Sequence, residues 1–286
     1  MWKKMLMAGT VIAGCMVVMA DFQGDIATIK KLCQEQKHDE AIKAFLELGA
    51  KSVDAQQWQA VTEAALCTMQ HKKNASEALA LTEQIKSEPY KKVARLKILK
   101  FSSPQQVVDE FKGEDFSKWP EPEIGLAYLE RGRAYLSLKN GTEAEKDLLN
   151  AVKMYKVGQF QKWEAMQLLG DTYWKVMNDE TKAEDSYRDC IDGFSGGWPA
   201  FIARINLSEM LRKQKKYDEA LQCLQSGTAT ESPFWTAEIK EGVAKVYIDQ
   251  GKKAEAVAIA EEVLKMPGIT DQQKRKFEKI LTDLKK

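Results

Sequence analysis

The chain has 286 residues, enough for one long or two ordinary domains, and is rich in Leu, Ala, Glu and Lys with only 17 Gly and 7 Pro. That mixture favours helix, because alanine and straight-chain residues lose little freedom there, and no alternating Val/Ile/Thr run marks a sheet. Lys and Arg number 43 against 42 Asp and Glu, interspersed to a formal +1, which excludes the basic excess that a nucleic-acid binder uses to neutralise phosphates.

Residues 1–20 stand apart. Lys3 and Lys4 precede an uncharged stretch, residues 5–20, that ends in Val18-Met19-Ala20 ahead of the polar Asp21. This is the pattern of a secretory signal peptide, and the stretch falls short of the roughly 20 apolar residues that span a bilayer. Ile12-Ala13-Gly14-Cys15 resembles the lipobox of bacterial lipoproteins, in which the cysteine is lipidated. Three readings stand: cleavage after Ala20, lipidation of Cys15, or an uncleaved anchor. The apolar residues 16–20 favour the first. Each takes the chain out of the bacterial cytoplasm, to the periplasm or beyond or onto a membrane as a lipoprotein. Membrane contact is expected only through a lipid anchor or an uncleaved amino terminus.

Residues 21–112 read as helical repeats, the last of them degenerate. A small residue with another residue, usually bulky, four positions later begins a ladder here with Ala41/Phe45 and Ala78/Thr82. Cys33 and Cys67 lie 34 residues apart, as Cys190 and Cys223 lie 33 apart. An exported chain permits disulfides. Equivalent positions of stacked helices are nevertheless about one helix diameter apart, beyond the roughly 7 Å Cα limit for a bridge, so the four read as small apolar helix residues. His38 and His71 fall in or near turns and read as solvated. Residues 90–100 and 104–112 predict two shorter helices, with Ser103 capping the second and Pro104 at its first position. Gly113, Pro120 and Pro122 then break the periodicity, which makes residues 113–123 either part of a degenerate repeat or a joint. This segment is expected to bury less apolar area than its neighbours and to open first.

Residues 124–269 predict about four regular repeats. The ladder continues with Ala144/Leu148, Ala183/Tyr187, Ala220/Leu224 and Ala256/Ala260, at steps of 39, 37 and 36 residues. Twelve or thirteen residues ahead of each alanine sits a first-helix signature, as in Tyr128-Leu129-Glu130-Arg131-Gly132-Arg133-Ala134-Tyr135 and Leu168-Leu169-Gly170-Asp171-Thr172-Tyr173. Trp163, Trp198 and Trp235 fall near the starts of successive first helices, at spacings that suggest packing in the inter-repeat joint. Residues 270–286 predict a capping helix, with Thr270 as its cap and Phe277, Ile280, Leu281 and Leu284 on one face.

Small at the eighth position, aromatic at the eleventh and alanine at the twentieth resembles the tetratricopeptide repeat over most of the chain. A small residue where two helices cross lets their backbones approach, and the aromatic fills the gap beside it. One helix pair cannot bury its own apolar face, so several must stack. The resemblance implies an all-α, right-handed α-solenoid of stacked antiparallel helix pairs with a C-terminal capping helix. It further implies a concave face, lined by first helices, that receives another protein or a peptide. Transferred onto this chain, the face comprises Leu129, Arg133 and Leu136, then Gln167, Asp171 and Trp174. The next two repeats add Ile205, Asn206, Glu209 and Arg212, then Glu241, Lys245 and Ile248. Trp174 and the apolar members can equally be packing residues. The Lys/Asn clamp by which some members hold a carboxy-terminal carboxylate is matched here only at Asn206, which argues against that mode.

Chemistry-bearing motifs are otherwise missing: no H-E-x-x-H, C-x-x-C, G-x-S-x-G, Walker or G-x-G-x-x-G sequence occurs. Gly193, Gly196 and Gly197 read as an inter-repeat turn. Neither catalysis nor a metal or other cofactor is expected. The leading expectation is a protein-interaction scaffold of the bacterial cell envelope. A carrier of peptide or saccharide, and an enzyme with a site in the concave face, are the alternatives.

Overall fold

The structure, a computed structural model, describes residues 21–194, 196–226 and 232–284, so the leader-like segment with Cys15 lies outside the described residues. Among the described residues every regular element is a helix, and no helix is long and apolar enough to cross a membrane. The chain divides into two compact units, residues 1–134 and 135–286.

The first unit contains α1 (residues 21–34), α2 (His38–Lys51) and α3 (Asp54–Cys67), which runs on into a π-helical turn, Thr68–Lys72. It continues with α4 (Ala75–Thr82), α5 (Glu88–Leu99) and α6 (Pro104–Phe111). The division between the units falls inside α7 (Glu123–Ser137). Caps explain where several helices start. The Asn74 side chain accepts from the Glu77 N–H and the Ser103 hydroxyl from that of Gln106, each satisfying an amide that lacks an intrahelical partner.

The second unit comprises α8 (Gly141–Met154), α9 (Phe160–Thr172) with a second π-helical turn at Tyr173–Met177, and α10 (Glu180–Gly193). Then follow α11 (Trp198–Lys213), α12 (Tyr217–Gln225), α13 (Pro233–Asp249), α14 (Lys253–Leu264) and α15 (Asp271–Leu284). Consecutive helices pack on one another, and the alternate helices α9, α11 and α13 also touch in sequence, which is the stacking of a solenoid.

The ladder residues form the spine of this packing. Ala41, Ala78, Ala144, Ala183, Ala220 and Ala256 are all completely buried, as are Thr82, Leu148, Tyr187, Leu224 and Ala260. The small residues bring helices close, and the residues one turn later fill the space between them. At Gly170 the approach is so tight that a Cβ would lie 2.4 Å from the Tyr187 ring. The tryptophans do join repeats. Trp163 is buried against Gly193 and donates to the Val157 carbonyl at 2.9 Å, Trp198 meets Phe160, and Trp235 meets Phe201. α15 buries Phe277 against α13 and α14, and Thr270 and Gln273 cap it reciprocally.

Three expectations need correction. The segment around α5 and α6 is not thinly packed: Val93, Ala94, Leu96 and Ile98 are fully buried, and Phe111, Phe116 and Trp119 form an aromatic cluster. The Arg131 guanidinium lies 4.1 Å from the Phe116 ring centre and donates to the Phe111 carbonyl, which ties this cluster to α7. Cys33 and Cys67 are not a helix diameter apart at their tips, since both sit at helix ends that converge and their sulfurs are 3.4 Å apart. His38 and His71 are not separately solvated turn residues, because the same convergence stacks their rings at 3.7 Å.

Candidate functional site

In the second unit the first-helix positions do assemble into one surface. Residues four apart on a helix share a face, so Gln167 and Asp171 stand together on α9 and the Gln167 amide donates to the Asp171 carboxylate at 2.8 Å. Asp171 is the node of the face. It also accepts from the Tyr187 hydroxyl at 2.6 Å and from the Asn206 amide of α11 at 2.8 Å, and pairs with Lys175 at 3.0 Å. Burial, then the charge of Asp171, pushes the Tyr187 phenol far above its ordinary range, so it stays a hydrogen-bond donor.

One turn further along α11, Glu209 and Arg212 form a bidentate pair, and Arg212 reaches across to Asp249 of α13. On α13, Glu241 pairs with Lys245 at 2.8 Å and with Lys276 of α15 at 2.6 Å. Glu238 completes this end through Gln273 and Lys276. Burial would raise the Glu209 and Glu241 carboxyls, but Arg212 on one and Lys245 with Lys276 on the other outweigh it and hold both below the usual range. Between these pairs lies a cavity of about 120 Å³, bordered by Ile205, Arg212, Glu241 and Lys245 among others.

The remaining positions are placed differently. Gln167 is buried, so on this face it positions Asp171 rather than meeting solvent. Trp174 lies in the π-helical turn, half-buried, with the Lys213 ammonium 5.0 Å and the Lys175 ammonium 5.7 Å from its ring centre. Ile248 is partly exposed near the end of α13, as is Leu136 in α7. In the first unit Arg133 pairs with Glu130 at 3.2 Å. Leu129 is fully buried and is a core residue, in a stretch of α7 where Ala127, Glu130 and Arg131 are buried as well.

Sequence reasoning missed Tyr187, Asp249, Glu238 and Lys276. In the ladder Tyr187 counts only as the bulky residue after Ala183, although a buried tyrosine needs a partner for its hydroxyl, and that need points to a nearby acceptor. Asp249 ends α13 and Lys276 lies in the cap, where no repeat position draws attention, and Glu238 lies on α13 one turn before Glu241. The thiols of Cys190 and Cys223 are pushed up by burial to about 12 and about 11, so neither is an activated nucleophile.

Stacked helix pairs with buried alanine ladders and a polar first-helix face define a helical-repeat solenoid. Residues 202–227 match the model of the tetratricopeptide repeat, so the chain is similar to that family over this stretch. No curated protein matches it. Among solved structures it is similar to a tetratricopeptide repeat protein from Parabacteroides merdae, at 13% identity and a TM-score of 0.56, over 91% of this chain and 98% of that one. It is also similar to a chain of the anaphase-promoting-complex hetero-tetramer Cut9–Hcn1, at 16% identity and a TM-score of 0.54, over 91% of this chain and 52% of that one. The C-terminal part of a repeat-containing protein from Cytophaga hutchinsonii matches at 16% identity and a TM-score of 0.50, over 88% of this chain and 99% of that one. At these identities the likeness is one of fold.

Proposed function

We propose that the chain is a non-catalytic interaction scaffold of the bacterial cell envelope, which takes another protein or a peptide on the first-helix face of its second unit. The observation that carries this reading is the row of side chains on α9, α11 and α13. Asp171, Asn206, Glu209, Arg212, Glu241 and Lys245 are held in place by one another yet remain partly open to solvent. Groups fixed before a partner arrives lose little entropy on binding, and Trp174 and Arg212 are residue types that often dominate such surfaces. The charges of both signs suit a partner segment that is itself mixed. The envelope location rests on residues 1–20 alone.

The test is affinity capture from envelope extracts with the full chain and with a Trp174→Ala/Lys245→Glu variant. Lys245 is exposed, Trp174 is partly open and neither belongs to the buried ladder, so the variant should fold. A specific partner captured by the parent and lost by the variant is expected. Equal capture by both would refute the assignment of this face.

A further inference from the structure

We infer that the first unit carries a structural zinc site made by Cys33, His38, Cys67 and His71, which clips the α1–α2 turn to the end of α3. The four residues each offer one ligand atom, and these atoms all lie within 4.8 Å of one another. The two sulfurs are 3.4 Å apart and the imidazoles stack at 3.7 Å with an interplanar angle of 12°. His38 Nδ1 is buried and has no hydrogen-bond partner. An orphaned ring nitrogen beside two thiols is costly unless something accepts its lone pair or its proton.

The spacing of the ligand atoms suits a tetrahedral ion, and the stacked rings tilt apart on binding so that each in-plane lone pair points at it. Metal–sulfur bonds of about 2.3 Å and metal–nitrogen bonds of about 2.0 Å place ligand atoms about 3.3–3.8 Å apart. The sulfurs are within about 0.4 Å of the roughly 3.8 Å that two zinc-bound thiolates take, and the widest gap closes with an inward shift of about 1 Å. Two thiolates with two imidazoles are a donor set for Zn²⁺, and four protein ligands make a closed, structural site with no position left for substrate. Binding forms two zinc–sulfur and two zinc–nitrogen bonds and releases the two thiol protons to water, leaving the centre neutral. The flanking charge is already accounted for. Lys72, next to His71, pairs with Asp39 at 2.8 Å and with Glu77 at 3.3 Å.

The second unit supplies the control. Gln36 and Lys139 occupy the same left-handed turn conformation, with φ of 63° and 59°, as do Lys73 and Asn178, with φ of 56° and 55°. Counting from these residues, Cys33 corresponds to Leu136, His38 to Gly141, Cys67 to Thr172 and His71 to Val176. Both copies carry a π-helical turn before the second left-handed residue. In the second unit the corresponding space is filled by apolar packing: a Cβ on Gly141 would lie 3.2 Å from Val176 and 2.7 Å from Met177. The first unit differs at all four positions, and each of them there is a residue that can ligate a metal. A role in helix packing accounts for one such residue, not for four converging on one point.

The experiment uses the full chain, purified with reductant, stripped by a chelator and reloaded. One zinc per chain is expected after removal of excess metal. Cobalt in its place should show the intense visible bands of a tetrahedral ion and the near-ultraviolet thiolate charge-transfer band. His71→Ala, at an exposed residue, and Cys33→Ser should each weaken zinc binding at least tenfold and abolish the tetrahedral cobalt spectrum, while Cys190→Ser and Cys223→Ser leave it intact. Zinc at about a hundredfold excess over Kd should raise the melting temperature of the parent by about 5–10 °C and that of His71→Ala far less. A parent with free thiols that takes up no zinc would overturn the assignment. So would a His71→Ala chain with an unchanged cobalt spectrum, or a Cys33–Cys67 disulfide whose reduction yields no tetrahedral cobalt.

Discussion

Replacing Gly170 by alanine forces a methyl group into the tight crossing of α9 and α10. Its Cβ would lie 2.4, 2.5 and 2.9 Å from three atoms of the Tyr187 ring, well inside van der Waals contact. The ring cannot swing aside freely, because Tyr187 is completely buried and its hydroxyl is fixed to Asp171 at 2.6 Å. Overpacking of this kind costs about 1–3 kcal/mol, while the better helix propensity of alanine returns about 0.8–1 kcal/mol. We expect a net loss of about 1–2 kcal/mol, seen as a melting temperature lower by about 2–8 °C and a lower urea midpoint with unchanged slope. A Tyr187→Leu background removes the obstructing ring. There Gly170→Ala should be neutral or stabilising, a coupling of about 1 kcal/mol or more in a double-mutant cycle. Additive effects, or a single mutant as stable as its parent, would mean that Gly170 and Tyr187 do not meet and that the repeat register is wrong.

Acid should weaken the second unit. The Glu241 carboxyl is held below its ordinary 4.5, so its pairing stabilises fully above about pH 4.5 and that contribution fades as pH falls through the lowered value. Lys276 is held above 10.5, so its share is present below that pH and is lost as pH rises through the raised value. Melting curves from about pH 3 to 7 should therefore show a decline at the acid end that Glu241→Gln flattens; identical profiles would exclude the pairing. Hydrogen exchange should find α5 and α6 as protected as α8, because their apolar residues are as deeply buried, and early exchange of that segment would contradict the packing described. At the amino terminus, Cys15→Ser should leave processing and detergent partitioning unchanged, and mass spectrometry should place the mature start at Asp21. A lipid mass on Cys15 would reverse that expectation.

The ladder was legible because each of its positions answers a single geometric demand, close approach followed by filling, and alanine and the residue one turn later announce it at fixed spacing. Ser103 and Thr270 were legible as caps for a similar reason, since hydrogen-bond geometry confines them to one place. The polar node was only half visible. Spacing puts Gln167 and Asp171 on one face, but that Tyr187 and Asn206 both end on Asp171 depends on the angle at which helices cross. The cysteine and histidine cluster escaped because separation along the chain was read as separation in space. Positions 34 residues apart in parallel helices are distant, but at helix ends, where turns fold inward, side chains of neighbouring pairs converge. The two left-handed turn residues, Gln36 and Lys73, aim those ends.

Asp171 has one oxygen tied to the buried phenol of Tyr187 and to Asn206, and the other to Gln167. Core and surface thus share a single carboxylate, and no substitution there is purely a surface change. An alanine scan of the face, scored by partner capture alone, would rank Asp171 as the strongest contact even if no partner atom touched it. The converse also holds: a ligand that drew Asn206 away would register in the thermal stability of the α9–α10 crossing, so melting of the second unit can serve as a label-free sensor of occupancy.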